Sequence, residues 1–192
     1  MNNEFTELPL IHKNLYIGCY NACNNFKWNQ TICCVNCNSN NLNKYSCIFD
    51  DDPSIDFNSA VFHLVKGAKI LNQLIDEKKY NNNNDNILVH CHAGMNRCAS
   101  IVASYAIIYK KYKPDFIIDI IRYNNKKQRN LLAITNPVFE KVLYYIYDNK
   151  DRLNELNELN DKNDKNEFND KNEFNEFNDT NENYTTPIID LL

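Results

Sequence analysis

The sequence predicts an α/β domain with a mainly parallel central sheet flanked by helices, and three observations carry that reading. Short apolar runs rich in β-branched residues alternate with longer stretches of helical periodicity over residues 1–150, the order expected of parallel strands joined by crossover helices. Pro114 and Pro137 stand near the starts of two helical stretches, where a missing N–H costs nothing. The length, 192 residues, suits one modest domain with an appended segment.

The elements follow in order. "NLYIGCYNACNNF" opens with an apolar strand, and "TICCVNCN" and "YSCIF" read as two more. Helical spacing of Ala60, Val61, Leu64, Val65, Ala68, Leu71, Leu74 and Ile75 predicts a helix over 57–76. Ile87-Leu88-Val89 reads as a buried strand entered from the Asn-rich stretch 81–86. Residues 98–109 are apolar on most sides and free of Gly and Pro, which suits a buried helix. "PDFIIDIIRYNN" and "NPVFEKVLYYIYDN" complete the series as helices.

From 151 the composition changes. Asn recurs at every third position from Asn154 to Asn181, a period that matches neither a helix face nor a strand face, in a polar and charged tract. Two domains are therefore expected: a folded unit over 1–150 and a disordered tail over 151–192. Leu153, Leu156 and Leu159 could extend the preceding helix by a turn or two, and the ending "YTTPIIDLL" could be a docking peptide; neither is assigned.

Composition limits the function classes. No apolar stretch is long enough to span a bilayer, and the first residues, "MNNEFTELPLIHKN", lack the layout of a signal peptide, so an intracellular, cytoplasmic protein is expected, with the nucleus left open. A net charge of −4 argues against nucleic acid as a generic partner. Eight cysteines in a chain of this size and setting point to reduced thiols rather than a disulfide scaffold.

The chemistry concentrates in "NILVHCHAGMNRCAS", residues 86–100. The segment 91–96 joins a strand to a helix N-terminus, where unpaired N–H groups and the helix dipole favour an anion. A thiolate is such an anion, which makes Cys91 a nucleophile with a depressed pKa. Arg97 adds a planar fork of donors suited to two phosphate oxygens. The backbone of His92, Ala93, Gly94, Met95 and Asn96 would curl around one phosphate, with Gly94 supplying the conformational freedom. The alternative for a lone cysteine at a strand end is a plain buried residue.

His-Cys-five residues-Arg resembles the signature of cysteine-dependent protein tyrosine phosphatases, and Ala93-Gly94 within it resembles the dual-specificity branch. The resemblance extends over residues 8–148: "IHKNLYIGCYNACNN" is similar to the family's opening segment, with Asn25 at an expected Asn, and "ITNPVFEKVL" to its closing helix, with Asn136 and Phe139 in place. It implies a general acid on a separate loop. "IFDDDPSIDFNSAVF" offers Asp50, Asp51, Asp52 and Asp56; aligning Ser59-Ala60 and Phe62 with the family's helix places the acid at Asp52, with Asp51 the alternative and a turn-capping role the default for the others. The long interval from Asp52 to Cys91 is explained by an insertion at 81–86. His90 is implied to order the loop and support the thiolate, and His92 to lie at the rim, whereas His12 and His63 carry no motif.

One residue departs from the family pattern. Cys98 stands where a Ser or Thr hydroxyl usually supports the thiolate and the breakdown of the phosphoenzyme, and a thiol is a weaker donor. Slower hydrolysis of the intermediate, or a disulfide to Cys91 under oxidation, is the functional reading; small-residue packing is the bland one. Cys19, Cys23, Cys33, Cys34 and Cys37 invite a zinc reading, but adjacent Cys33 and Cys34 on a strand face opposite ways and paired Cys-x2-Cys knuckles are missing, so core packing and no metal or other cofactor are expected. The expected function is hydrolysis of phosphotyrosine and phosphoserine or phosphothreonine on protein substrates through a cysteinyl-phosphate. The alternatives are an RNA 5′-phosphatase, to which Asn96 before Arg97 also conforms, and a non-catalytic phosphoprotein-binding module. No membrane partner is expected, and the oligomeric state is open.

Overall fold

The computed structural model describes residues 4–36, 44–81 and 86–167. Ten elements occur among them: β1 (Phe5–Glu7), β2 (Leu15–Gly18), α1 (Tyr20–Asn25), β3 (Gln30–Cys33), β4 (Lys44–Ser46), α2 (Phe57–Asn81), β5 (Ile87–His90), α3 (Arg97–Lys110), α4 (Pro114–Arg129) and α5 (Pro137–Glu167). The strands form one sheet in the order β1-β2-β5-β3-β4, parallel throughout except for the antiparallel β1–β2 pair. The predicted mainly parallel α/β sheet is the one observed.

The central strand explains the layering. All four residues of β5 are buried. Ile87 and Val89 belong to the main core with residues of α2, α3 and α5, whereas Leu88 packs on the opposite face with Ala22 and Cys23 of α1 and with Trp28. Alternation along a strand with both faces covered produces a continuous apolar run, which is why Ile87-Leu88-Val89 shows no period-two pattern. Helix α3 is the hub: every residue from Cys98 to Ile108 is buried. It lies close to α2, and a Cβ on Gly67 would fall 2.6 Å from Ile101 Cδ1.

Several expectations are corrected in extent. β2 stops at Gly18 and the remainder of "NLYIGCYNACNNF" becomes α1. β3 ends at Cys33, β4 covers Lys44–Ser46, and α2 runs on from 76 to Asn81. β1, three residues at the sheet edge, was not anticipated, because so short a run carries no readable period. The largest difference is α5, which does not stop near 150 but continues to Glu167. Once a helix is nucleated by a packed first half, each added Leu, Glu or Lys extends it at little cost. Compact units divide the chain at 1–155 and 156–192. Cys37, most of the 81–86 insertion and the ending "YTTPIIDLL" lie outside the described residues. No helix among the described residues is long and apolar enough to cross a membrane.

Candidate active site

The end of β5 delivers Cys91 to the bottom of a loop that returns to the sheet through the start of α3. Its side chain is 1% exposed. What makes 91–96 an anion cradle is the disposal of its carbonyls. Tyr20 N donates to His92 O at 3.1 Å, Arg129 NH2 to Ala93 O at 2.9 Å, Arg129 NH1 to Gly94 O at 2.8 Å, and Ile134 N to Met95 O at 3.1 Å. With successive carbonyls bonded outward, the peptide N–H groups are left for the interior. Gly94 N donates to Cys91 Sγ at 3.2 Å. Gly94 has φ +70°, and a Cβ there would collide with the Arg129 guanidinium and stand 2.6 Å from Gly18 C, so this position requires glycine.

Helix α3 leaves its own N-terminus open. Asn96, the N-cap, makes no capping bond; its Oδ1 instead accepts Thr135 N at 2.7 Å and Thr135 Oγ1 at 3.1 Å. The first-turn N–H groups therefore lack a capping side chain and add to the cradle. Arg97, the first residue of α3, donates from NH1 to Phe49 O at 2.9 Å and lies 3.5 Å from Cys34 O. Its Nε is buried and carries no partner, a donor that a bound oxyanion would satisfy.

The Cys98 thiol lies 3.5 Å from Cys91 Sγ. The Cys91 pKa is lowered to about 5, chiefly by the hydrogen bond from Cys98 and against the opposing effect of burial; backbone N–H groups of Cys98 and Met95 and the Arg97 charge add to the lowering. Cys98 itself is pushed well above its ordinary range by burial and by the neighbouring Cys91. Of the two thiols, Cys91 is therefore the one more readily ionised.

The aspartate loop lies between β4 and α2. Asp52 is exposed; its Oδ1 accepts Ser54 N and Ser54 Oγ, both at 2.7 Å, and these bonds hold its pKa below the ordinary value. Asp56 Oδ1 accepts Ser59 N at 2.8 Å, the capping role expected of the other acids. Asn136 binds the loop to the start of α5: its Nδ2 donates to Asp51 Oδ1 at 3.2 Å and Asp52 O at 3.3 Å, and its Oδ1 accepts Val138 N. Phe139, fully buried, meets Phe49 edge-on. The closing-helix residues thus brace both the aspartate loop and the segment that holds Arg97.

His90 is fully buried beside Cys91, and His92 is exposed at the rim. His63 stacks on Phe49 at 5.1 Å between centroids, and burial lowers its pKa. Asn25 donates to the Glu4 carboxylate at the surface. Arg129 and Asn125 were not singled out from the sequence. Arg129 is the strap across the loop, and the buried Asn125 carries it, accepting from Thr6 Oγ1 at 2.8 Å and lying 3.5 Å from Arg129 NH1.

A profile of the dual specificity phosphatase catalytic domain matches residues 11–148. The chain belongs to this family. As a dual specificity phosphatase domain it is built for cysteine-based phosphate chemistry, and its similarity to solved structures lies in the fold. Human DUSP28 has a TM-score of 0.59 at 15% identity, covering 77% of this chain and 95% of that one. OH1 of the Orf virus, described as a tyrosine phosphatase with triple substrate specificity, has a TM-score of 0.52 at 16% identity, covering 77% and 88%. PTPMT1 in complex with PI(5)P gives 0.54 at 19%, covering 78% and 98%. No curated protein matches the sequence at comparable significance.

Proposed function

We propose that this domain hydrolyses phosphotyrosine and phosphoserine or phosphothreonine on cytoplasmic proteins through a cysteinyl-phosphate. The observation that carries the reading is the loop itself, with its carbonyls bonded outward around a buried thiol whose pKa is lowered to about 5. The substrate phosphate takes the N–H groups of residues 92–97 and the Arg97 guanidinium, which places phosphorus in line with Cys91 Sγ. Sulfur attacks, the P–O bond to the leaving group breaks, and Asp52 supplies the proton that the departing oxygen needs. Water, deprotonated by the same aspartate, then attacks phosphorus and releases Cys91 as a thiolate. Fixed donors following the phosphoryl oxygens stabilise the charge throughout. No cofactor enters the scheme. His90 supports the loop from below, and Cys98 takes the place of the usual hydroxyl.

The Cys91–Cys98 pair also supports a redox corollary. Hydrogen peroxide converts the Cys91 thiolate to a sulfenic acid with loss of hydroxide; the Cys98 thiol condenses with it, water leaves and a disulfide forms. Peptide mapping without reductant would find the cross-link.

Assay of the purified chain on phosphopeptides and on 5′-triphosphate RNA, with Cys91→Ser as control, tests the proposal. Phosphopeptide turnover is expected, abolished in Cys91→Ser with peptide binding retained. Turnover of RNA alone would establish the RNA phosphatase reading, and binding without turnover the non-catalytic one.

A further inference from the structure

The face of β5 opposite the main core holds a group whose two ring nitrogens the phosphatase reading leaves without a bonding partner. His90 is fully buried, and neither Nδ1 nor Nε2 has a hydrogen-bond partner. A buried imidazole left in this way forfeits its solvation with nothing in return. The sheet register sets Cys33 of β3 directly beside His90, and α1 covers the same face with Cys23. The ligand atoms of Cys23, Cys33 and His90 all lie within 4.8 Å of one another, and all three residues are buried.

This differs from the cysteine cluster that the sequence brings to notice. Cys34 belongs to the main core on the other side of the sheet, and the missing member is a histidine far along the chain. Two sulfurs and one imidazole nitrogen form a donor set for a borderline-soft d¹⁰ ion. Tetrahedral zinc with Zn–S of about 2.3 Å and Zn–N of about 2.0 Å sets its ligand atoms roughly 3.4–3.8 Å apart, inside the 4.8 Å that bounds the observed group. Charge also balances: two thiolates and a neutral imidazole around Zn²⁺ sum to zero, which an apolar interior tolerates. We infer that Cys23, Cys33 and His90 form a zinc site beneath the phosphate-binding loop. Binding releases the two thiol protons to solvent and joins α1, β3 and β5 at one point. With one nitrogen on the ion, His90 is fixed in one tautomer next to the nucleophile.

The test uses the full chain carrying Cys91→Ser and Cys98→Ser, so that the catalytic thiols cannot hold metal. The protein is stripped with chelator under reductant and titrated with Co²⁺, then Zn²⁺. One Co²⁺ per chain is expected, with visible d–d bands and near-ultraviolet thiolate-to-cobalt charge transfer, both discharged by one equivalent of Zn²⁺. Adding Cys33→Ser or Cys23→Ala should weaken Co²⁺ binding by about tenfold or more, with circular dichroism reporting whether each variant folds. Zn²⁺ should also raise the melting temperature of the Cys91→Ser/Cys98→Ser protein. Absence of charge transfer in that protein overturns the site, whatever the further variants do. So do bands that survive unchanged in a folded Cys33→Ser variant.

Discussion

Cys91 and Cys98 stand 3.5 Å apart with their pKa values shifted in opposite directions, and this asymmetry can be measured. Alkylation of Cys91 by iodoacetamide should rise with pH through about 5 and level off above it. Because the folded pKa is depressed below the unfolded one, the thiolate's contribution to stability is present above the unfolded value and is lost as pH falls through about 5. Cys98→Ala removes the largest source of the lowering and should move the alkylation midpoint upward, whereas Cys98→Ser restores a donor and should hold it low while speeding breakdown of the phosphoenzyme. An unmoved midpoint in Cys98→Ala would assign the lowering to the backbone cradle instead. The aspartates divide just as cleanly. Asp52→Asn should slow turnover of a peptide phosphoester by about 10²- to 10⁴-fold, and of an activated aryl phosphate much less, since its leaving oxygen needs little protonation. Asp51→Asn should have a small effect on both; the reverse pattern would transfer the role to the residue that Asn136 holds. The loop that joins Cys91 to Arg97 was legible in the sequence because both residues sit in one short segment with fixed spacing. The choice between adjacent aspartates was not, because it depends on how the loop turns at Ser54.

Helix α4 was recognised as an element, but its purpose was not. Its last turn reads "KKQRN", a string of charges that resembles an ordinary solvated helix end. Only the fold turns Arg129 inward, 8% exposed, onto two carbonyls of a loop 35 residues earlier in the chain. Arg129→Met should lower kcat/KM by about 10²-fold by letting the cradle relax, and it should shift the Cys91 alkylation midpoint upward, which a purely structural loss elsewhere would leave alone. Arg129→Lys should rescue little, since a point charge cannot hold two carbonyls as a planar fork does. The His90–Cys33 juxtaposition escaped notice for the same reason: register between β3 and β5 is a property of the sheet, not of either strand.

At the scale of the molecule, the question is where the folded unit ends. Leu153 packs against the main core, beyond the composition change at 151, and the first compact unit reaches 155. A chain ending at 155 should melt with the full-length protein. One ending at 150 should melt about 2–4 °C lower, the shift for roughly 1 kcal/mol of lost apolar burial in a domain of this size. Equal melting of both truncations would mean that Leu153 contributes nothing. The distribution of the carbonyl anchors has a consequence for biosynthesis. Tyr20 reaches the loop from the start of the chain, and Arg129 and Ile134 from near the end of the domain. A nascent chain that has displayed Cys91 but not yet Ile134 therefore carries an ordinary thiol, mostly protonated at neutral pH. The full lowering of the Cys91 pKa is reached only when the last anchors arrive, so ionisation of Cys91 at mildly acid pH, where ordinary thiols stay protonated, marks the completion of folding around this loop.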